Sequence, residues 1–296
     1  MFSKIPQIAA FTVCILALGQ VHAADAPTSC VWKLEGAGGT TVYLAGSVHL
    51  LRQKDHPLPG TYDQVYEDSE RIYFEVDMSE MESPENAMKM LQMSMLPDGK
   101  TLEDVLSADT YSRLNAYLSK GGMAGNPMLT RLNPGMMGIT ISALEAMKIG
   151  AMPDLGVEKI YDTKAREDGK EIIGLETAEF QINMLKRVSD KDGDQFIAMT
   201  LDDIEDSPEK LGELIDAWKK GDAKTMDEMI NEEFDPQDKL AQILLFERNA
   251  NWIPAIEKEL ERTDGNAMII VGAGHLVGKG SVLDMLAKKG IKATQM

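Results

Sequence analysis

The chain has 296 residues and carries 48 acidic against 30 basic side chains, a formal net charge of −18. Such a surface repels nucleic acid and anionic membranes, so neither is an expected partner. The acidic excess lies mostly in the middle and late helical segments, where a solvated helix face accounts for it.

Residues 1–23 read as a cleavable signal peptide. Lys4 supplies a short positive start, residues 8–18 are an apolar run of signal length, and Val21, His22 and Ala23 form a small-x-small site for cleavage after Ala23. The run is too short to span a bilayer as a stable helix. Cys14 lacks the small-residue approach of a lipoprotein site. The mature chain, residues 24–296, is therefore expected to be periplasmic or secreted, with a net charge of −19 and no stable membrane anchor. Cys30 is then its single thiol, which excludes an intramolecular disulfide. Lying just before a strand pattern, Cys30 reads as a small buried apolar residue rather than a nucleophile.

Residues 31–34 and 41–45 read as strands joined by a Gly-rich hairpin loop. The second runs straight into Gly46, Ser47, Val48 and His49. A short helix over 61–69 and a compact apolar strand over 71–76 follow, the latter ending in Glu75, Val76 and Asp77. Ser83 and Pro84 start a helical region, with breaks at Gly99 and at Gly121–Gly122 and a cap at Ser107. Further helices are predicted over 134–149 and 155–167, then a strand over 171–174 leading to Glu176. Acidic helices fill 178–262, interrupted near Asp192–Gly193, Ser207–Pro208 and Asp235–Pro236. The last unit is a strand over 267–271, then Gly272 to His275, a helix over 281–289 and an end strand near 291–293. These elements predict an α/β fold: a sheet core assembled from the N- and C-terminal segments, with a large helical insertion over about 83–262 that the 171–174 strand interrupts. No low-complexity linker divides 24–296, so one domain is expected.

Both ends carry the same pattern: an apolar strand, Gly-x-x-His, then two aliphatic residues. One copy spans Gly46–His49 and the other Gly272–His275. The chain has four histidines. His22 belongs to the leader, which leaves two in the repeat and His56 elsewhere. Ligands of open α/β sheets bind outside the carboxyl ends of the strands, where both motif histidines fall if their strands are parallel neighbours. The glycines are read as points of sharp turning and close ligand approach. The bland reading is that each histidine caps its strand.

Glu75 and Glu176 end or follow strands and can join the histidines; Asp77 is a weaker neighbour past its strand end. Two neutral imidazoles and a carboxylate suit Zn, Mn, Fe or Co, which activate water or polarise a carbonyl. A metal-free arrangement, with one histidine as general base and a glutamate orienting it, is equally sound chemically.

The ordered set Gly46–His49, Phe74–Asp77, Gly174–Thr177, Glu247–Asn249 and Gly272–Gly278 resembles the TraB/PrgY/GumN family over nearly the whole mature chain. It is similar in turn to the Tiki metalloproteases, and more distantly to erythromycin esterases and ChaN-like proteins. The resemblance implies an α/β fold and a site of two Gly-x-x-His motifs with acidic residues. Carried over, it marks His49, His275 and Glu75 as metal-holding candidates. Glu75, Glu176, Arg248 and Asn249 become the catalytic candidates. Ser47 stands where threonine is more usual. The Tiki branch implies Mn- or Co-dependent peptide cleavage, the esterase branch histidine-based hydrolysis without a required metal, and ChaN-like members bind haem. The expected function is an exported metal-dependent hydrolase of peptide or amide bonds. Its cofactor would be a divalent transition metal (Mn, Co or Zn), and its partner a peptide or small-molecule substrate. The alternative is a protein that binds or sequesters a ligand, haem or metal included, in the same cleft without turnover.

Three other patterns are set aside. Gly272, Gly274 and Gly278 lie too near the end of the chain for a dinucleotide fold. Asp190 to Asp194 lacks the glycine and terminal glutamate placement of a calcium loop. Met88, Met90, Met93 and Met95 could hold Cu(I), but they read as a pliable packing surface.

Overall fold

The computed structural model describes residues 28–206, 209–231 and 238–296. The expected leader and the breaks at Ser207–Pro208 and Asp235–Pro236 lie outside them.

Among the described residues eight strands form: β1 (Val31–Glu35), β2 (Thr41–Ser47), β3 (Leu51–Arg52), β4 (Arg71–Val76), β5 (Ala151–Met152), β6 (Glu171–Glu176), β7 (Ala267–Gly272) and β8 (Ala293–Gln295). Six of them make one sheet in the order β6-β4-β7-β2-β1-β8. β6, β4, β7 and β2 run parallel, while β1 and β8 add antiparallel pairings at the other edge. The central strands are almost wholly buried, as β4 and β7 show in their continuous apolar runs. This is what a parallel sheet covered on both faces requires.

The sheet is thus drawn from both ends of the chain, with β6 contributed from within the helical middle. Helices occupy the stretches on either side of β6, including Pro134–Lys148, Ala178–Asp206 and Glu247–Leu260. The helical middle has its own apolar cluster around Leu114, Met137, Ile141 and Leu201, separate from the sheet core. Asp192 interrupts the Ala178–Asp206 helix with φ −145° and ψ 32°, at the expected break. On the Pro84–Ser94 helix Met88 is exposed and Met90 and Met93 are half-buried.

Most boundaries move by one or two residues from the expectation. The exception is the β3–β5 pair, which ties the segment after the first motif to the helical middle through Leu51↔Met152 and Arg52↔Ala151. Two residues are too few to show an alternating pattern. Cys30 is fully buried beside Met226, its sulfur 3.6 Å from that thioether. Burial pushes the thiol's pKa far above the usual range, which leaves it without nucleophilic character.

Register then positions the site. β2 pairs with β7 through Gly46↔Val271 and Ser47↔Gly272, so the two motifs leave the sheet side by side. β4 pairs with β7 through Phe74↔Ile270, and with β6 through Val76↔Glu176. The carboxyl ends of β2, β4, β6 and β7 therefore converge on one rim. The two glycines serve this packing rather than a left-handed turn, since neither has a positive φ. A Cβ on Gly46 would lie 3.3 Å from Ala273 and from Cys30, which corrects the expectation of a sharp turn.

Candidate active site

The rim brings together the candidate site residues His49, Glu75, Glu176, Arg248, Asn249 and His275, but not Asp77. Glu75 projects from β4, Glu176 ends β6, Arg248 and Asn249 sit on the Glu247–Leu260 helix, and His275 lies in a 3-10 turn after β7. Arg248, Asn249, Glu75, Glu176 and His275 are all buried. Asp77 instead caps the Met78–Glu82 helix by accepting from the Ser79 backbone N–H, and pairs with Arg166 at 2.6 Å.

Arg248 organises the cluster. Its Nε donates to Glu176 Oε1 at 2.8 Å, and Nη2 donates to Glu176 Oε2 at 2.9 Å and to Glu75 Oε2 at 2.5 Å. Nη1 donates to the Leu244 carbonyl at 3.3 Å and to His275 Nε2 at 3.1 Å. A guanidinium has five N–H donors, and all five are used. Glu176 is equally occupied, because it also accepts from Trp252 Nε1 at 3.1 Å and Gln181 Nε2 at 3.2 Å. It acts as an anchor for Arg248. A π-helical turn over Gln242–Phe246 leads into the helix that carries Arg248; such turns recur where a helix must aim side chains at a site.

Asn249 sets the tautomer of His275. The Asn249 Nδ2 donates to the Gly280 carbonyl at 2.9 Å, which turns Oδ1 toward His275 Nδ1 at 2.6 Å. The proton therefore sits on Nδ1, and Nε2 keeps its lone pair. The imidazole stays neutral: burial and the Arg248 charge hold its pKa down at about 3, against the pull of Glu75. Trp252 packs against the ring, 4.5 Å between centroids. Burial of Glu75 opposes ionisation, but Arg248, with help from the two histidines, outweighs it and holds its pKa at about 2.

His49 differs. Its side chain is 63% open to solvent, and Nδ1 lies 2.7 Å from Glu158 Oε1. Glu158 raises the His49 pKa above the ordinary imidazole value. The same carboxylate oxygen accepts a hydrogen bond from Ser47 Oγ. Glu158 stands in the first turn of the Val157–Asp168 helix, whose start docks on the motif through Val157 N to the Val48 carbonyl at 3.3 Å. A Cβ on Gly156 would fall 2.2 Å from the His49 carbonyl oxygen, so only glycine permits this approach. From below, Tyr62 Oη and Trp218 Nε1 both donate to the Gly46 carbonyl, the latter at 2.7 Å. Sequence reasoning missed Glu158, Trp252, Tyr62 and Trp218. His56, the remaining described imidazole, bonds the Leu155 carbonyl at 3.1 Å.

Glu75 Oε1, His49 Nε2 and the ring edge of His275 border the space over Gly272. A Cβ built there would lie 3.3 Å from Glu75 Oε1, 3.5 Å from His275 Cδ2 and 3.9 Å from His49 Nε2. Glu75 Oε1 is held by the Gly272 N–H at 2.8 Å and stands 3.8 Å from His275 Nε2. His49 Nε2, Glu75 Oε1 and His275 Nε2 would be a donor set for a divalent transition metal once Arg248 Nη1 releases the His275 lone pair it now occupies, with Glu158 and Asn249 bonded to the far ring nitrogens. Arg248, Glu75 and Glu176 sum to one negative charge, which favours a cation. The spacing is wider than ligation demands: among the described residues no three His, Cys, Asp or Glu side chains stand at metal-ligand spacing.

The rim therefore defines an α/β protein with a buried, arginine-centred cluster of carboxylates and imidazoles at the carboxyl ends of parallel strands. The TraB/PrgY/gumN family profile matches residues 30–295, and the chain belongs to that family. It is 25% identical over 250 residues to the uncharacterised protein YbaP of Escherichia coli (strain K12), covering 84% of this chain and 89% of YbaP. It is 24% identical over 301 residues to Metalloprotease TIKI1 of Homo sapiens, covering 84% of this chain and 58% of that protein. The Metalloprotease TIKI homolog of Amphimedon queenslandica is 23% identical over 336 residues, covering 95% of this chain and 64% of that protein. The chain thus spans less than two thirds of the Tiki relatives. No solved structure matches. Among the described residues no helix is long and apolar enough to cross a membrane.

Proposed function

We propose that this chain is an exported, metal-dependent hydrolase of peptide or amide bonds. In this reading His49, His275 and Glu75 hold a divalent ion (Mn, Co or Zn). The observation that carries it is the meeting of both Gly-x-x-His motifs and Glu75 around the space over Gly272. The relatives named metalloproteases support the reaction class. The residues 1–23 read as a signal support a periplasmic or secreted location.

When bound, such an ion would lower the pKa of water and polarise a carbonyl. The chain's own groups supply the rest. Arg248 keeps Glu75 ionised and fixed, so its Oε1 is a permanent acceptor. Asn249 keeps the His275 proton on Nδ1, so Nε2 carries the lone pair, which accepts from Arg248 Nη1 until an ion takes it. Glu158 takes the Nδ1 hydrogen bond of His49 and presents Nε2 to the cleft. Trp252 packs against the His275 ring and helps to fix its plane.

A second reading, binding without turnover, draws on the full occupancy of Arg248 and the wide donor spacing. The test is hydrolysis of peptides and esters by purified mature protein with Mn, Co or Zn added, beside His49→Ala and His275→Ala. The hydrolase reading expects metal-stimulated turnover that either substitution abolishes. Tight ligand binding with no turnover by the parent favours the second reading, and turnover by both variants equal to the parent removes the site.

A further inference from the structure

Beyond the polar rim, the same cleft has a second wall that no step above uses. The cleft has a volume of about 310 Å³, and besides His49, Glu75 and His275 it is lined by Leu211, Leu214, Ile230 and Leu245. These four side chains are half-buried. They come from separate elements: the Lys210–Lys220 helix, the Ala223–Asn231 helix and the π-helical turn. The first helix puts Ile215 and Trp218 into the core and leaves Leu211 and Leu214 facing the cleft. Ile230 reaches the second motif directly, with two of its carbons 3.5 Å from where a Cβ on Gly274 would stand. The apolar wall is therefore continuous with the turn that carries His275.

Charge narrows what the wall can take. Arg248 is the one guanidinium or ammonium group lining the cleft among the described residues, and every N–H it has is committed to Glu75, Glu176, His275 or Leu244. His49 is paired with Glu158. A substrate carboxylate lying along the Leu211, Leu214, Ile230 and Leu245 wall would find no cation among those side chains. A buried anion without a partner is strongly disfavoured, whereas aliphatic groups gain by leaving water. The volume lies at the small end for ligand pockets, which suits one side chain with its backbone better than an extended lipid chain.

We infer that the cleft is a specificity subsite for an uncharged aliphatic side chain of a peptide, next to the bond over Gly272, and that Ile230 and Leu214 select it. The inference rests on the hydrolase reading for turnover, but its recognition half stands apart. The experiment compares blocked decapeptides that differ only at one central residue: leucine, aspartate or lysine. Mature protein with Mn²⁺ is assayed by mass spectrometry for cleavage and by calorimetry for binding, in the parent, Ile230→Asp and Leu214→Asn, each checked for folding by circular dichroism. Burying a leucine predicts a ten- to hundredfold preference, to order of magnitude, for the leucine peptide over the aspartate peptide, reduced at least tenfold by either substitution. Leucine-selective binding without cleavage would uphold the subsite and remove the hydrolase reading. Equal handling of leucine and aspartate, indifference to both substitutions, or preference for an octanoyl ester over every peptide would overturn the inference.

Discussion

Replacing Arg248 by methionine keeps much of the side chain's bulk and removes its charge. Glu75 and Glu176 would then be buried beside each other without their shared cation, and His275 would lose its Nη1 donor. Breaking a buried pair from one side costs about 3–5 kcal/mol, which for a chain of this size lowers Tm by about 6–20 °C. The pH dependence separates charge loss from lost packing. In the parent, Glu75 titrates at about 2 against an ordinary 4.5. Its contribution is present above 4.5, is lost as pH falls through 2, and amounts to about 3 kcal/mol. The depressed pKa of His275, about 3, acts in the same direction: the parent loses stability as pH falls below 6.5, because the unfolded imidazole takes a proton that the folded one refuses. In the variant, burial without Arg248 raises the Glu75 pKa, so the folded state binds protons first and gains stability as pH falls. The gap between parent and variant should therefore be largest at pH 7.5 and narrow steadily as pH falls toward 4 and below. Urea midpoints measured across that range report it. A gap that stays constant with pH would refute the electrostatic account and leave Arg248 as packing.

Gly272→Ala places a methyl 3.3 Å from Glu75 Oε1 and 3.9 Å from His49 Nε2; it should fold, at a cost of about 1–3 kcal/mol, yet lose metal binding by calorimetry, and unchanged binding would show that the donors meet elsewhere. Glu158→Gln removes the carboxylate that raises the His49 pKa, so the His49 titration followed by NMR should move down toward 6.5, with an unmoved titration denying the pairing. Metal binding must displace the proton that Glu158 favours on His49, so affinity should rise with pH up to the raised His49 pKa and then level; competition with a chelator at several pH values measures this, and a flat profile would remove His49 as a ligand.

The sheet and the two motifs were legible because parallel strands buried on both faces are written as continuous apolar runs, and because β2 and β7 repeat one pattern before His49 and His275. The order β6-β4-β7-β2 was not, since nothing local in Ala267–Gly272 says that it lies between β4 and β2. Glu75 and Glu176 were visible as acids at strand ends, but their division of labour was not. Glu176 is saturated by Arg248, Trp252 and Gln181, while Glu75 keeps Oε1 toward the cleft. Arg248 and Asn249 came from family resemblance alone, because a helix surface does not announce which residues it buries. Glu158 was missed outright: it looks like one acid among many at a helix start, and its meeting with Ser47 and His49 is a contact 109 to 111 residues distant along the chain. A glycine just before that helix, at Gly156, was the one available signal of a close approach.

The central claim is that both Gly-x-x-His motifs and Glu75 form one cation site. Metal titration of the mature protein tests it most directly, by calorimetry with elemental analysis, in the parent and in His49→Ala, His275→Ala and Glu75→Gln. The account predicts one divalent transition-metal ion per chain in the parent and at least a tenfold loss of affinity in each variant. A parent that takes up no such ion, or variants that bind it as the parent does, would contradict it.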